Sequence, residues 1–165
     1  MTISAAAFRR VLAGFLEAVV LVLMASLAAL VLAAVGFRKA GAALVWYDEV
    51  ASVLLAWLTY YGAALAALHR AHIGFPALVR SLPLPFYRAA LVVREVLVSA
   101  FLVLLAWAGL QVHAVLEGTT LVSLPAVPAA VAYSVIPIGA VLFLLAELSS
   151  CAGAWRERQP AEEGP

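Results

Sequence analysis

The sequence predicts an all-α integral membrane protein in which four transmembrane helices are joined by short interfacial segments and both termini are cytoplasmic. Three observations carry this prediction. Of the 165 residues, 67% are hydrophobic and only 12% are charged, with a mean hydropathy of +1.10. Because a soluble domain carries roughly 25% charged residues, this chain has too few to cover a water-facing surface. The other two observations are four long apolar stretches and an uneven distribution of arginine between them.

Each apolar stretch is long enough to cross a bilayer core of roughly 30 Å as a helix. The four stretches lie near Val11–Val35, Val50–Leu68, Leu91–Val115 and Val127–Leu148. Backbone groups in lipid must bond to one another, so each stretch is expected to be helical. We expect residues 1–155 to form one membrane domain, and the polar tail 156–165 to be disordered.

The first stretch begins like an export signal, with Arg9 and Arg10 before an apolar run. The run continues to Val35, well beyond the roughly 7–15 residues of a signal sequence core. Glu17 also interrupts it early. We therefore expect a retained first span.

The second stretch has different polar chemistry at its two ends. An aromatic pair and two acids precede it, and histidine and arginine follow it. The residues in question are Trp46, Tyr47, Asp48 and Glu49 at one end and His69, Arg70 and His72 at the other. In the fourth stretch, Pro137 removes one helical hydrogen bond and predicts a kink.

Arginine predicts the orientation. Basic residues gather in the N-terminal tail, the second connection and the C-terminal tail, whereas the third connection, 117–128, has none. Cytoplasmic loops carry an excess of Lys and Arg, so both termini and the second connection are expected on the cytoplasmic side. Arg38 and Lys39 in the first connection go against this rule, and Asp48 and Glu49 lie near enough to offset them.

Ionisable residues avoid the middle of every stretch. The charged residues within the stretches form one shallow layer near the cytoplasmic side, where they can pair: Glu17, Arg94, Glu95 and Glu147. A transporter or exporter acting alone needs ionisable groups at depth, so the chain by itself lacks a transport site. The net charge of +1 and the absence of a basic run give no indication of nucleic acid binding.

The three histidines raise an alternative function, a haem-bearing membrane anchor subunit of a redox complex. His69 and His72 lie near one membrane face and His113 near the other, so they do not share one haem, and a dihaem arrangement needs four ligands. Zinc at His69 and His72 lacks a third ligand, and the single Cys151 excludes a cysteine-rich metal site. We therefore expect no cofactor and no enzymatic activity.

Three motifs and the four-span layout resemble a known family. The motifs are W-Y-D-E at Trp46–Glu49, W-L-T-Y-Y-G-A-A at Trp57–Ala64 and H-R-A-H-I-G-F at His69–Phe75, followed by S-V-I-P-I-G at Ser134–Gly139 in the last span. In order and spacing, the chain resembles the DctQ-type small membrane subunit of tripartite ATP-independent periplasmic (TRAP) transporters.

The resemblance implies a non-catalytic permease subunit in the bacterial inner membrane. Its partners would be a large multi-span subunit, which holds the sodium and substrate sites, and a periplasmic protein that captures an organic acid. The small subunit would be a scaffold against which an elevator-like domain of the large subunit moves. As candidate residues for partner contact or membrane anchoring we select Trp46, Asp48, Glu49, Arg70 and His72.

Overall fold

The computed structural model describes residues 2–69 and 83–154. Five helices lie in these ranges: α1 Thr2–Lys39, α2 Tyr47–Leu68, α3 Leu84–Val115, α4 Ala129–Tyr133 and α5 Val135–Ala154. Within them, four segments are long and apolar enough to cross a membrane: Ala7–Lys39, Tyr47–Leu68, Pro85–Val115 and Ala129–Ser149. The prediction of four apolar helices is thereby confirmed.

Two helices are longer than the sequence predicts. α1 begins at Thr2 rather than near Val11, because the alanines before Arg9 favour a helix and the arginines do not interrupt it. α3 begins at Leu84 rather than near Leu91. Pro83 precedes that helix and Pro85 lies in its first turn, where a missing N–H costs no intrahelical hydrogen bond. The helix thus begins seven residues before the apolar stretch that predicts it.

The fourth span is interrupted at Ser134, between α4 and α5. Pro137 lies in the first turn of α5, and a proline there clashes with the carbonyl four residues earlier if the helix continues. The Ser134 N–H instead donates to the Val131 carbonyl, three residues back, at 3.3 Å. The interruption thus lies within one turn of the proline, as the sequence predicts.

The spans pack in a row with the order α1–α2–α5–α3, since the extensive contacts are those of α1 with α2, α2 with α5 and α5 with α3. A core cluster of buried residues joins the first three helices of this row: Leu12, Leu16, Leu23, Tyr61, Ala64, Ala67, Leu68, Val135 and Ala146. The inner helices α2 and α5 therefore cover one another, whereas α1 and α3 form the edges and carry most of the exposed large apolar side chains.

Two glycines allow the helices of this row to approach closely. A Cβ built on Gly139 of α5 would lie 2.6 Å from the Tyr60 Cβ of α2. A Cβ on Gly109 of α3 would lie 2.8 Å from Pro137 Cδ and 2.9 Å from Pro137 N. Small residues at such crossings are what helix packing in lipid uses, because no hydrophobic effect drives association there.

The four spans alternate in direction and so define two ends of the bundle. The terminal end contains the first half of α1 together with the end of α2, the start of α3 and the end of α5. The loop end contains the connections 40–46 and 116–128. Gly41 and Gly118 follow α1 and α3 there with φ of 77° and 81°, a conformation that glycine adopts without steric cost.

Candidate functional site

The charged side chains of the described residues lie at the two ends of the bundle, not between them. No charged residue occurs from Ala18 to Phe37, from Val50 to Leu68, from Val96 to Val112, or from Val135 to Ala146. Each range is a long part of one span. A site that uses charged side chains of the described residues therefore lies at the loop end or the terminal end.

At the loop end, the Glu49 carboxylate holds the connection 116–128. The Val122 N–H donates to Oε1 at 2.9 Å, and the Ser123 N–H donates to Oε2 at 2.6 Å. Two consecutive backbone N–H groups that converge on one anion form the type of cradle that binds anions in proteins, and bonds to a charged acceptor are stronger than neutral ones. The start of α2 is thereby fixed to a loop more than seventy residues later in the chain.

That loop also has hydrogen bonds between its own backbone groups. The Leu121 N–H donates to the Val127 carbonyl and the Ala129 N–H donates to the Thr119 carbonyl, each at 3.0 Å. The bonds make a short hairpin-like turn with an isolated bridge between Thr120 and Pro128. The Glu49 carboxylate thus binds the tip of a loop that its own backbone hydrogen bonds also close, and both sets of bonds fix the position of the connection.

The first connection, residues 40–46, is held by an aromatic and cationic contact. The Arg38 guanidinium, at the end of α1, donates to the Tyr47 hydroxyl and its central carbon lies 5.4 Å from the centre of the Tyr47 ring. Trp46 precedes α2 with its side chain half-buried, and its carbonyl accepts from the Val50 N–H at 3.3 Å. Cation–π contact and the hydroxyl bond together link α1 to α2.

The break between α4 and α5 leaves backbone carbonyls that side chains from both neighbouring helices satisfy. Trp57 of α2 donates from Nε1 to the Ala132 carbonyl at 2.9 Å. His113 of α3 places Nδ1 3.1 Å from the Ala130 carbonyl, so this nitrogen carries the proton if the contact is a hydrogen bond. In lipid, an unsatisfied carbonyl is costly, and these two contacts allow the break to persist.

The terminal end is held by charged side chains. Arg9 of α1 donates from Nη2 to the Leu68 carbonyl at the end of α2, at 3.2 Å. About two helical turns further along α1, Glu17 Oε1 lies 3.3 Å from His69 Nε2. Both pairs connect α1 to the end of α2, where the helix dipole favours positive charge.

An ion pair at the same end connects α3 to α5. Arg94 donates to Glu147, whose side chain is 7% exposed while that of Arg94 is 55% exposed. A buried carboxylate needs such a partner, because an unpaired charge in a low-dielectric interior is strongly unfavourable. The predicted layer of pairing charges is therefore present, with His69 as a member that the prediction had considered only as a ligand.

The predicted site residues do not form one cluster. Glu49 makes the contact just described, Trp46 adjoins it in the chain, and the Asp48 side chain is exposed while its carbonyl accepts from Ser52 Oγ at 2.8 Å. Arg70 and His72 lie outside the described residues. The contacts of Trp57 and His113 with the carbonyls of α4 are not predicted from the sequence. The one signal for them is Pro137, which predicts an interrupted helix and so carbonyls that need another partner.

The part of the chain that the structure describes contains no metal-binding cluster. There, no group of three His, Cys, Asp or Glu side chains is close enough together to hold a metal ion. His69 faces Glu17 and His113 faces the Ala130 carbonyl, so each of these histidines serves a contact between helices.

Comparison with protein families gives one informative result. The model of the family described as "Tripartite ATP-independent periplasmic transporters, DctQ component" matches residues 27–157. The match covers helices α2 to α5 in full and the last third of α1. None of the curated proteins compared with the chain matches it.

Proposed function

Because the chain belongs to the DctQ family, the small permease component of tripartite ATP-independent periplasmic (TRAP) transporters, we propose that it is a non-catalytic scaffold for the large transport subunit of such a transporter. The large subunit and a periplasmic solute-binding protein are its partners in this proposal. Residues 1–155 act as one membrane domain, and the whole transporter is sodium-coupled and takes up an organic acid.

The observation that carries the scaffold role is the separation of charge from the middle of the bundle. Binding a carboxylate or sodium ion inside a membrane requires ionisable or coordinating groups at that depth. The described spans place their charged residues at the two ends, in Glu49 at one end and in pairs such as Arg94 with Glu147 at the other. A chain built in this way is suited to holding helices in position, and the solute site falls to another subunit.

The edge helices offer surface to a large partner. Ala25, Ala29 and Ala33 recur at intervals of four on α1 and are exposed, so this stripe faces away from α2. Small residues on a lipid-exposed helix permit a second backbone to come close. We propose that the α1 stripe is one contact surface for the large subunit.

The orientation that we propose follows the positive-inside rule. The terminal end, with Arg9 and Arg10, faces the cytoplasm, and the loop end, with Glu49 and the connection 116–128, faces the periplasm of a bacterial inner membrane. The Glu49 contact then lies on the side where the solute-binding protein delivers its cargo. It sets the position of the loop on that side.

Coexpression with the large subunit tests the proposal. The wild-type chain is expected to copurify with that subunit in a constant ratio, and Ala29→Trp is expected to lower the ratio because a large ring blocks close helix approach. The matched control is Leu104→Trp, which places the same ring on the exposed face of the other edge helix, α3.

Glu49→Gln is a second, independent variant. It weakens the hold on Val122 and Ser123 and is expected to reduce assembly or uptake more than Glu117→Gln, an exposed acid at the same end. Failure of the wild-type chain to copurify would refute the scaffold role. Equal behaviour of the two glutamate variants would refute a role for Glu49 in assembly.

A further inference from the structure

An open cavity of about 280 Å³ lies at the terminal end, between the first part of α1 and the end of α2. Its lining consists of Arg9, Arg10, Ala13, Leu68 and His69. Two guanidinium groups therefore border a small concave space whose remaining wall is alanine, leucine and imidazole. The internal contacts described above explain why α1 meets α2 here, but not why two arginines border an open space.

Among the residues that the structure describes, the charges around the cavity do not cancel. Arg9 is oriented by its bond to the Leu68 carbonyl, which uses one of the five donors of a guanidinium group. Among the described residues, no carboxylate lies within ion-pair distance of Arg9 or Arg10. Glu17 is the nearby acid, and it lies against His69 at 3.3 Å. The cavity thus keeps an excess of positive charge with donors available to an anion.

The same face of α1 continues as apolar surface away from the cavity. Leu21 follows Arg10 by eleven residues, and Met24 follows Ala13 by the same interval, which is about three helical turns. Both side chains are exposed, to 60% and 52%. A ligand with an anionic group in the cavity and a long apolar chain would therefore find contacts for both parts along one side of α1.

We propose that this cavity binds the phosphate headgroup of an anionic phospholipid, with the acyl chains lying along α1 past Leu21 and Met24. Arg10 and the remaining donors of Arg9 bind the phosphate oxygens, and Ala13 leaves room for the headgroup. Basic pockets between membrane helices are suited to such headgroups, because guanidinium geometry matches phosphate and the pocket lies at the membrane surface. The proposal does not depend on which solute the transporter takes up.

The test is a lipid titration of the full-length chain in a neutral detergent. Thermal stability is measured against added dioleoyl phosphatidylglycerol, which carries one negative charge, and against dioleoyl phosphatidylcholine, which is zwitterionic. Inorganic phosphate is titrated separately, since it has the anionic group without the apolar chains. A ligand that binds only the folded state raises the unfolding midpoint. We expect a saturable rise with phosphatidylglycerol and a much smaller one with the other two.

Two variants and one control locate the effect. Arg10→Ala is expected to weaken phosphatidylglycerol binding about fivefold, the effect of removing one basic contact at a membrane surface. Ala13→Leu retains both arginines and is expected to weaken binding by filling the cavity. Lys39→Ala removes the same charge from the other end of α1 and is expected to leave binding unchanged.

Each other outcome counts against the proposal. Equal protection by phosphatidylcholine would show that charge is irrelevant, and equal protection by inorganic phosphate would show a site for a soluble anion. Binding that is unchanged in both Arg10→Ala and Ala13→Leu, or weakened as much in Lys39→Ala, would place the lipid elsewhere on the chain.

Discussion

The two ends of the bundle are held together by different chemistry. At the loop end, one carboxylate from Glu49 is shared between two backbone N–H groups, and Trp57 and His113 reach the carbonyls of α4. At the terminal end, side chains of opposite charge face one another, as in Arg94 with Glu147. Most of the loop-end contacts join a side chain to a backbone group, with Arg38 and Tyr47 as the exception. At the terminal end two of the three contacts described above join side chains, and Arg9 bonds to a backbone carbonyl.

The difference has a consequence for what each end can do. Backbone groups are fixed by the turn that contains them, so the loop end presents a single defined arrangement of the connection 116–128. Charged side chains at the terminal end retain unused donors, as Arg9 does, and can bind something further. The terminal end is therefore the better candidate for binding a further ligand, as the lipid proposal assumes.

The largest predicted effect concerns the buried carboxylate at the terminal end. Arg94→Ala leaves the buried Glu147 without its partner, and we expect a loss of about 3 kcal/mol in the free energy of unfolding, measured by denaturation in mixed micelles. This is the lower end of the range for a buried pair, because the Arg94 side chain is 55% exposed and solvent screens part of the interaction. The double variant Arg94→Ala with Glu147→Gln should recover part of the loss, because the unpaired charge is gone. A single variant as stable as the wild type would show that the pair does not hold α3 to α5.

A smaller effect is expected at the loop end from Trp57→Phe. The ring remains but the donor to the Ala132 carbonyl is lost, and one such bond is worth about 1 kcal/mol. Trp107→Phe is the matched control, since Trp107 of α3 is 58% exposed, and its effect should stay within about 0.5 kcal/mol. If both variants have the same free energy of unfolding, the Trp57 hydrogen bond does not stabilise the break between α4 and α5.

The smallest effect on global stability, and the most local, is expected from Glu49→Gln. A neutral amide is a weaker acceptor than a carboxylate, so the Val122 and Ser123 amides should exchange with solvent deuterium faster. The measurement is site-resolved hydrogen exchange, and Glu117→Gln should leave both rates as they are. Unchanged exchange at these two amides in Glu49→Gln would mean that the carboxylate does not hold the loop in the membrane.

The sequence was sufficient for the number of spans but not for their arrangement. Length and hydropathy predict four helices because lipid leaves few alternatives to helical backbone. The row α1–α2–α5–α3 depends on where small residues such as Gly109 and Gly139 meet larger ones, and the sequence pattern does not say which helix lies opposite. Helices α1 and α3 also begin before the apolar stretches that predict them, at Thr2 and Leu84, because hydropathy marks the part that spans lipid and not the full helix.

Whether Glu49 and Trp46 contact a partner stays a prediction, and their contacts within the chain could not be predicted for a similar reason. Glu49 was selected from the W-Y-D-E motif, but its partners at Val122 and Ser123 are backbone groups, which any sequence presents alike. The Trp57 and His113 contacts require knowledge of which helices flank α4. The sequence predicts that Glu17 and Glu147 each have a partner near one end, because charges in a span need partners. It does not identify those partners, which are His69 and Arg94.

Uptake into proteoliposomes decides whether this chain supports a transporter without carrying solute itself. Three preparations are compared with the solute-binding protein present and a sodium gradient imposed: this chain alone, the large subunit alone, and both together. We expect no uptake by this chain alone and the highest uptake rate when both subunits are present. Uptake of an organic acid by this chain alone would contradict this expectation.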